Sequence, residues 1–216
     1  MPNEGNSLYA VLTGDIVGST GLAAGELQAL FDAIRIHIAD VARQVPVRLI
    51  GTFSVVQGDR WQLTLSPPQY AARFMVLIAA AARMRGVTTR IALGTGEADR
   101  VVIANITEST GEAFTLSGRG LALLETAVYK KHYWIIDGKN ISAYQKLLFD
   151  FLGTQAAAWT YGQAEAVVLM IQDCSQEKIG ETLHIARQNV GKRLNAAHWS
   201  FFDRMIELEE SVAHLK

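Results

Sequence analysis

Residues 9–20 read YAVLTGDIVGST, and the fold of the chain turns on how this stretch is read. Tyr9 to Leu12 form an apolar, β-prone run of the kind that makes a strand buried on both faces. Asp15 arrives where that run ends, followed by Ile16 and Val17 and then by Gly18, Ser19 and Thr20. A carboxylate beside so much apolar surface is costly unless it is paired, hydrogen-bonded or bound to a metal. The stretch therefore asks for a negative charge held rigidly. The plainer alternative is an aspartate that caps the following turn through its own side chain.

Outward from there, apolar periodicity alternates between strand and helix. Leu8–Asp15 reads as a strand, Glu26–Gln44 as one or two helices and Val47–Val56 as a strand. A Gln57-Gly58 turn joins it to a second strand, Asp59–Leu65. Pro67 and Pro68 open a helix over Pro68–Arg85. Val87–Gly96 and Val101–Ile106 read as strands, Glu112–Val128 as a helix and His132–Ile136 as a short strand. The order β-α-β-β-α-β then α-β implies an α/β (α+β) sandwich, a mixed ferredoxin-like sheet with helices packed on it.

The character changes after about residue 140. Ile141–Phe151 reads as helical, Gly153–Ala158 as a small-residue connection, and from Gly162 onward helical periodicity dominates. The expected organisation is an α/β domain over 1–140, a helical linker over 141–160 and a small all-α domain over 161–216.

The 216 residues, half of them hydrophobic, are ample for one sizeable core or a core with a small appendage. A net charge of −1 argues against a chain-wide basic surface for nucleic acid while permitting a local patch. Cys174 is the only cysteine, which excludes an intrachain disulfide and a multi-Cys metal site. The start MPNEGNSLY has neither the basic segment nor the apolar core of a signal peptide. The longest apolar run, Phe74–Ala82, is bracketed by Arg73 and Arg83 and is too short to cross a bilayer. The expectation is a soluble, cytoplasmic protein without a membrane partner.

Three stretches of the first part belong together: TGDIVGST, then GDRW at Gly58–Trp61, then STGEAFTLSGRGLALL at Ser109–Leu124. Carboxylates from the ends of neighbouring strands can hold a pair of Mg²⁺ ions and a triphosphate, since hard cations demand oxygen ligands. Gly18, Ser19 and Thr20 can offer backbone N–H groups to phosphate oxygens. Thr115 and Arg119 lie four residues apart, hence on one helix face, and an arginine there can stabilise developing charge. The alternatives are ordinary hairpin chemistry for Asp59 and a solvated or ion-paired helix residue for Arg119.

In order and spacing these stretches, with Thr95-Gly96-Glu97, resemble the catalytic domains of class III nucleotide cyclases over most of residues 8–136. DIVGST is the most specific piece. The resemblance implies that Asp15 and Asp59 are metal ligands for Mg²⁺ or Mn²⁺, assisted by the backbone carbonyl of Ile16. It places Arg119 at the transition-state arginine, Gly18, Ser19, Thr20 and Thr115 at the nucleotide, and a site formed between two subunits of a homodimer. Two departures stand out. The family's asparagine is Thr115 here, and its purine-selecting lysine falls on Val55. A degenerate site is therefore implied, one that binds metal and nucleoside triphosphate without the usual turnover.

The stretch QEKIGETLHIARQNVGKRLNAAHW, Gln176–Trp199, carries a helix-turn-helix pattern. Ile179, Leu183, Ile185, Val190 and Leu194 are its packing positions, Gly180 permits close approach of the helices, and the turn falls near His184–Ala186. A left-handed residue is needed there, and histidine tolerates that better than most. The recognition helix would run from about Arg187 to Ala197 with Gln188, Asn189, Lys192 and Arg193 outward, types that suit base edges and phosphates. Gln176 at the first helix's start could meet a phosphate, and Tyr161–Ile171 supplies a leading helix. The stretch resembles the sigma-factor region that reads the −35 element. A single copy would bind DNA only in the ~10⁻⁴–10⁻⁶ M range of non-specific contacts, so a dimer is expected. Trp199, Phe201 and Phe202 read as core or interface, and Met205–Leu215 as a terminal helix.

A cyclase-like domain ahead of a helix-turn-helix resembles the bacterial SatD-like family. The leading expectation is a DNA-binding transcription regulator whose first domain dimerises and senses a nucleotide and metal. An active nucleotide cyclase or triphosphate-cleaving enzyme stands as the alternative, and a protein-interaction adaptor as a third reading.

Overall fold

A computed structural model describes residues 8–211; the sequence's first seven residues and the end of its expected terminal helix, 212–215, lie outside them. In chain order the strands and α-helices are β1 (Tyr9–Val17), α1 (Glu26–Ala42), β2 (Arg48–Leu49), β3 (Ser54–Gln57), β4 (Arg60–Ser66), α2 (Ala71–Arg83), β5 (Thr88–Gly96), β6 (Ala98–Arg100), β7 (Thr110–Gly111), α3 (Glu112–Leu124), β8 (Trp134–Asp137), α4 (Ala143–Ala157), α5 (Tyr161–Ile171), α6 (Gln176–Leu183), α7 (Arg187–Ala196) and α8 (Trp199–Ser211). The architecture is the expected mixed α/β sheet followed by helices. No helix among the described residues is long and apolar enough to cross a membrane.

The chain forms two compact units that interleave along the sequence. One comprises the chain through Ile16, Val47–Ala71 and Arg90–Thr154; the other comprises Val17–Pro46, Ala72–Thr89 and everything from Gln155 onward. The composition change near residue 140 thus falls inside the first unit, and the C-terminal helices share their unit with α1 and most of α2.

In the first unit the sheet runs β2-β4-β1-β5-β8, with β3 also on β4. β4 lies antiparallel to β1, β2 and β3, while β5 and β8 are parallel. Gly14 of β1 stands opposite Trp61 of β4. A Cβ on Gly14 would sit 2.3 Å from the Trp61 ring, so only glycine lets that fully buried indole lie across β1. Phe53 stacks on the same indole with centroids 5.3 Å apart. Thr13 donates to Ser117 of α3 (3.0 Å), which fastens the helix to the face of β1 that carries Thr13 and Asp15.

Three elements differ from the sequence reading. Val47–Val56 is split into β2 and β3, because Gly51 between them has φ +74°. Val101–Ile106 is no strand; Ile103–Glu108 forms 3-10 turns instead. There Ser109 accepts from the Val102 N–H (2.8 Å) and Thr107 donates to Asn105 (2.8 Å), local bonds that compete with a ladder. Gly153–Ala158 is not a connection, since α4 continues to Ala157. Its alanines favour helix, and a Cβ on Gly153 would lie 2.6 Å from the Trp134 ring, so that glycine serves close packing rather than a break.

In the second unit Arg83 donates to the Trp159 carbonyl (2.8 Å), and the Trp159 indole donates to the Ala197 carbonyl (2.9 Å) while packing on Phe202. Arg73 of α2 forks onto Glu210 of α8 at 2.7 and 3.0 Å. These bonds tie the terminal helices to the earlier part of their unit. Thr160 and Gln163 form a reciprocal cap at the start of α5, and Ser175 caps α6.

Candidate functional site

Asp15 does not end its strand; β1 runs two residues past it. Because β1 and β4 are antiparallel neighbours in register at Gly14 and Trp61, Asp15 and Asp59 fall at the same end of adjacent strands, with Asp59 just before β4. The Asp59 charge is one of the influences that raise the Asp15 carboxyl.

The stronger neighbour of Asp15 is one that the sequence reading missed. Arg90 of β5, the strand on the other side of β1, donates from Nε to Oδ1 (2.9 Å) and from Nη2 to Oδ2 (2.5 Å). Its Nη1 donates to the Leu124 carbonyl at the end of α3 (3.1 Å), where helix carbonyls favour a cation. The Asp15 side chain is 7% exposed and that of Arg90 24%. Beside them Arg60 pairs with Glu125 (2.5 Å). Burial pushes the Asp15 carboxyl above its usual range; Arg90 opposes that through bond and charge, while Asp59 and Glu125 add to it. A lone charge in the otherwise uncharged run TTRIALG was the available signal for Arg90.

Ile16, whose carbonyl was expected to assist a metal, is buried. A divalent ion at Asp15 needs carboxylate oxygens with lone pairs directed at it. Both Asp15 oxygens already accept from one guanidinium, and a dication would sit against that positive charge. Among the described residues no group of three His, Cys, Asp or Glu is placed to hold an ion. As arranged, the donor set does not fit a metal.

Arg119 and Thr115 are exposed on α3, as four-residue spacing requires. Arg119 lines a groove of about 460 Å³ together with Leu116, Leu123, Trp134, Lys146 and Leu147. Arg119 is not among the groups whose charge acts on Asp15. Lys146 in that groove is bonded to Asp137 (2.7 Å) and Asp150 to His132 (2.7 Å). Gly18, Ser19 and Thr20 belong to the second unit, where Gly18 is left-handed (φ +76°) and Ser19–Gly21 make a single 3-10 turn.

The second unit presents another set. α6 and α7 are separated by the three residues His184, Ile185 and Ala186, and His184 adopts the left-handed conformation (φ +54°) anticipated for it. Gly180 lets the turn close, since a Cβ there would lie 2.8 Å from the Ile185 carbonyl. Ile179, Val190 and Leu194 are buried, whereas Arg187, Gln188, Asn189 and Lys192 are exposed. Gln176 is half-buried at the start of α6. Arg193, grouped with the outward residues in the sequence reading, turns back to α5 and pairs with Glu165 (2.8 Å). Of the three aromatics, Trp199 and Phe202 are buried and Phe201 is exposed.

No protein-family model matches the sequence, and no curated protein matches it. Solved structures with some likeness include the guanylyl cyclase domain of the RhoGC fusion protein of the aquatic fungus Blastocladiella emersonii (18% identity, TM-score 0.41, covering 54% of this chain and 73% of that one). A bacterial light-regulated adenylyl cyclase gives 10% identity and a TM-score of 0.38 over 60% of this chain and 75% of that one. The guanylyl cyclase Cya2 gives 19% and 0.35 over 54% and 70%. Scores at this level do not establish a shared chemistry.

Proposed function

We infer that this protein is a DNA-binding regulator: the pair α6 and α7 engages DNA, and the cyclase-like sheet unit serves for dimerisation rather than turnover. The observation that carries the reading is the division of α7 into two faces. Val190 and Leu194 fill the core, while Gln188, Asn189 and Lys192 stand exposed on a helix entered through a tight left-handed turn. Glutamine and asparagine suit adenine edges, and lysine suits phosphates. Arg193 positions α7 against α5 through Glu165 rather than meeting a base.

The test is fluorescence anisotropy of the full chain on duplex DNA across a salt series. Binding that weakens with salt and is lost in Gln188→Ala/Lys192→Ala, with the fold retained, is the expected result. Binding unaltered in that variant would mean that α7 is not the reading helix.

A second reading, an enzyme acting on a nucleoside triphosphate, draws on the nearness of Asp15 and Asp59. Incubation with each triphosphate and Mn²⁺ followed by chromatography separates the two readings, since any turnover abolished by Asp59→Ala establishes the enzyme.

A further inference from the structure

The cation at Asp15 comes from the chain itself. We propose that the Arg90 guanidinium stands where a divalent ion would otherwise bind, so that the sheet unit is held together by a protein cation and takes up no Mg²⁺ or Mn²⁺ at Asp15. This inference stands apart from the DNA-binding reading and holds whichever way that one falls.

Three observations converge on it. The guanidinium matches the carboxylate in a two-bond fork, 2.9 and 2.5 Å, the geometry in which arginine is a specific partner and lysine is not. Its remaining nitrogen donates to the Leu124 carbonyl, so all three guanidinium nitrogens are engaged. The Asp15 side chain is largely enclosed, and a metal ion would have to break both bonds and then lie beside a guanidinium that has lost its carboxylate. The nearby acids do not restore the balance in favour of a metal. Glu125 is already engaged by Arg60, which leaves Asp59, just before β4, as a single further carboxylate among these described residues.

The experiment titrates Mn²⁺ into the full chain in mildly alkaline buffer and reads the free-ion signal by electron paramagnetic resonance, with melting curves in EDTA and in Mg²⁺ alongside. For the natural sequence the expected result is an unaltered free-ion signal and equal melting temperatures in the two buffers. Arg90→Gln should gain saturable Mn²⁺ uptake that Arg90→Gln/Asp15→Asn loses again, and Arg90→Lys, which keeps the charge, should stay silent. Saturable uptake by the natural sequence that Asp15→Asn removes overturns the proposal, as does a folded Arg90→Gln that takes up nothing. Should Arg90→Gln fail to fold, the natural chain and Asp15→Asn still decide it. A silent natural chain whose melting temperature falls equally in EDTA and Mg²⁺ on Asp15→Asn substitution supports the protein cation.

Discussion

Arg90 and Lys192 are both basic residues in stretches rich in hydrogen-bonding groups, yet the structure uses them in opposite ways. Arg90 lies within the sheet unit with all three of its guanidinium nitrogens donating to named partners. Lys192 lies on the exposed face of α7, and the neighbours that share that face, Gln188 and Asn189, are exposed as well. Arg193, one residue further, falls between the two cases, half-buried and paired with Glu165. A charged residue therefore speaks for function only once its partners are known. Arg90 is engaged within its own unit, whereas Lys192 is exposed on α7.

The largest effect should come from breaking the enclosed pair. Arg90→Ala removes the guanidinium from the buried Asp15 carboxylate, and removing one member of a buried ion pair typically costs about 3–5 kcal/mol. Urea unfolding should show a loss of that order for Arg90→Ala and a comparable one for Asp15→Ala. The double variant should cost much less than the two losses added together, because each single change already destroys the same interaction. A loss in Arg90→Ala no greater than that of a surface substitution would dissolve the contrast drawn above.

Arg193→Ala should come next. Its side chain is 32% exposed, so solvent screens the Glu165 pair, and a loss of about 1 kcal/mol is expected. Lys192→Ala should change stability by no more than about 0.5 kcal/mol, as surface substitutions do. The order Arg90, Arg193, Lys192 in unfolding should be reversed at its two ends in DNA binding, where Lys192 matters and Arg90 does not. Equal stability losses for Arg193 and Lys192 would remove the intermediate case.

Much of this was legible in the residues. The strand read over Leu8–Asp15 is present as Tyr9–Val17, two strands are joined by a short turn one residue past the expected Gln57-Gly58, at Gly58–Asp59, and the turn at His184 separates two helices that bury Ile179, Val190 and Leu194. What could not be read was pairing across distance. Arg90 lies 75 residues from Asp15, and only the strand order β4-β1-β5 brings them together. The same holds for Arg193, whose outward assignment followed from helix phase alone, while Glu165 on a different helix decided its direction. Gly51 and Gly153 show the reverse problem: two glycines of like appearance, one interrupting a strand by its backbone angle and one letting a helix pass close to Trp134.

The smallest effect concerns a titratable polar group of the second unit. Gln172 Nε2 donates to His37 Nδ1 and to Asp40, both at 3.3 Å. That first bond requires an unprotonated Nδ1. Burial lowers the His37 pKa below its usual value, with Asp40 opposing; Asp40 in turn is paired with Arg43. Since the unfolded chain then binds the proton more readily than the folded one, stability is present above the ordinary histidine range and declines as pH falls through it. This site should therefore lower the urea midpoint at about pH 5.5 relative to that at about pH 7.5. His37→Gln keeps an acceptor for Gln172 without a titrating ring, so the part of the difference due to this site should vanish in it. A pH dependence unchanged in His37→Gln would place the responsible group elsewhere.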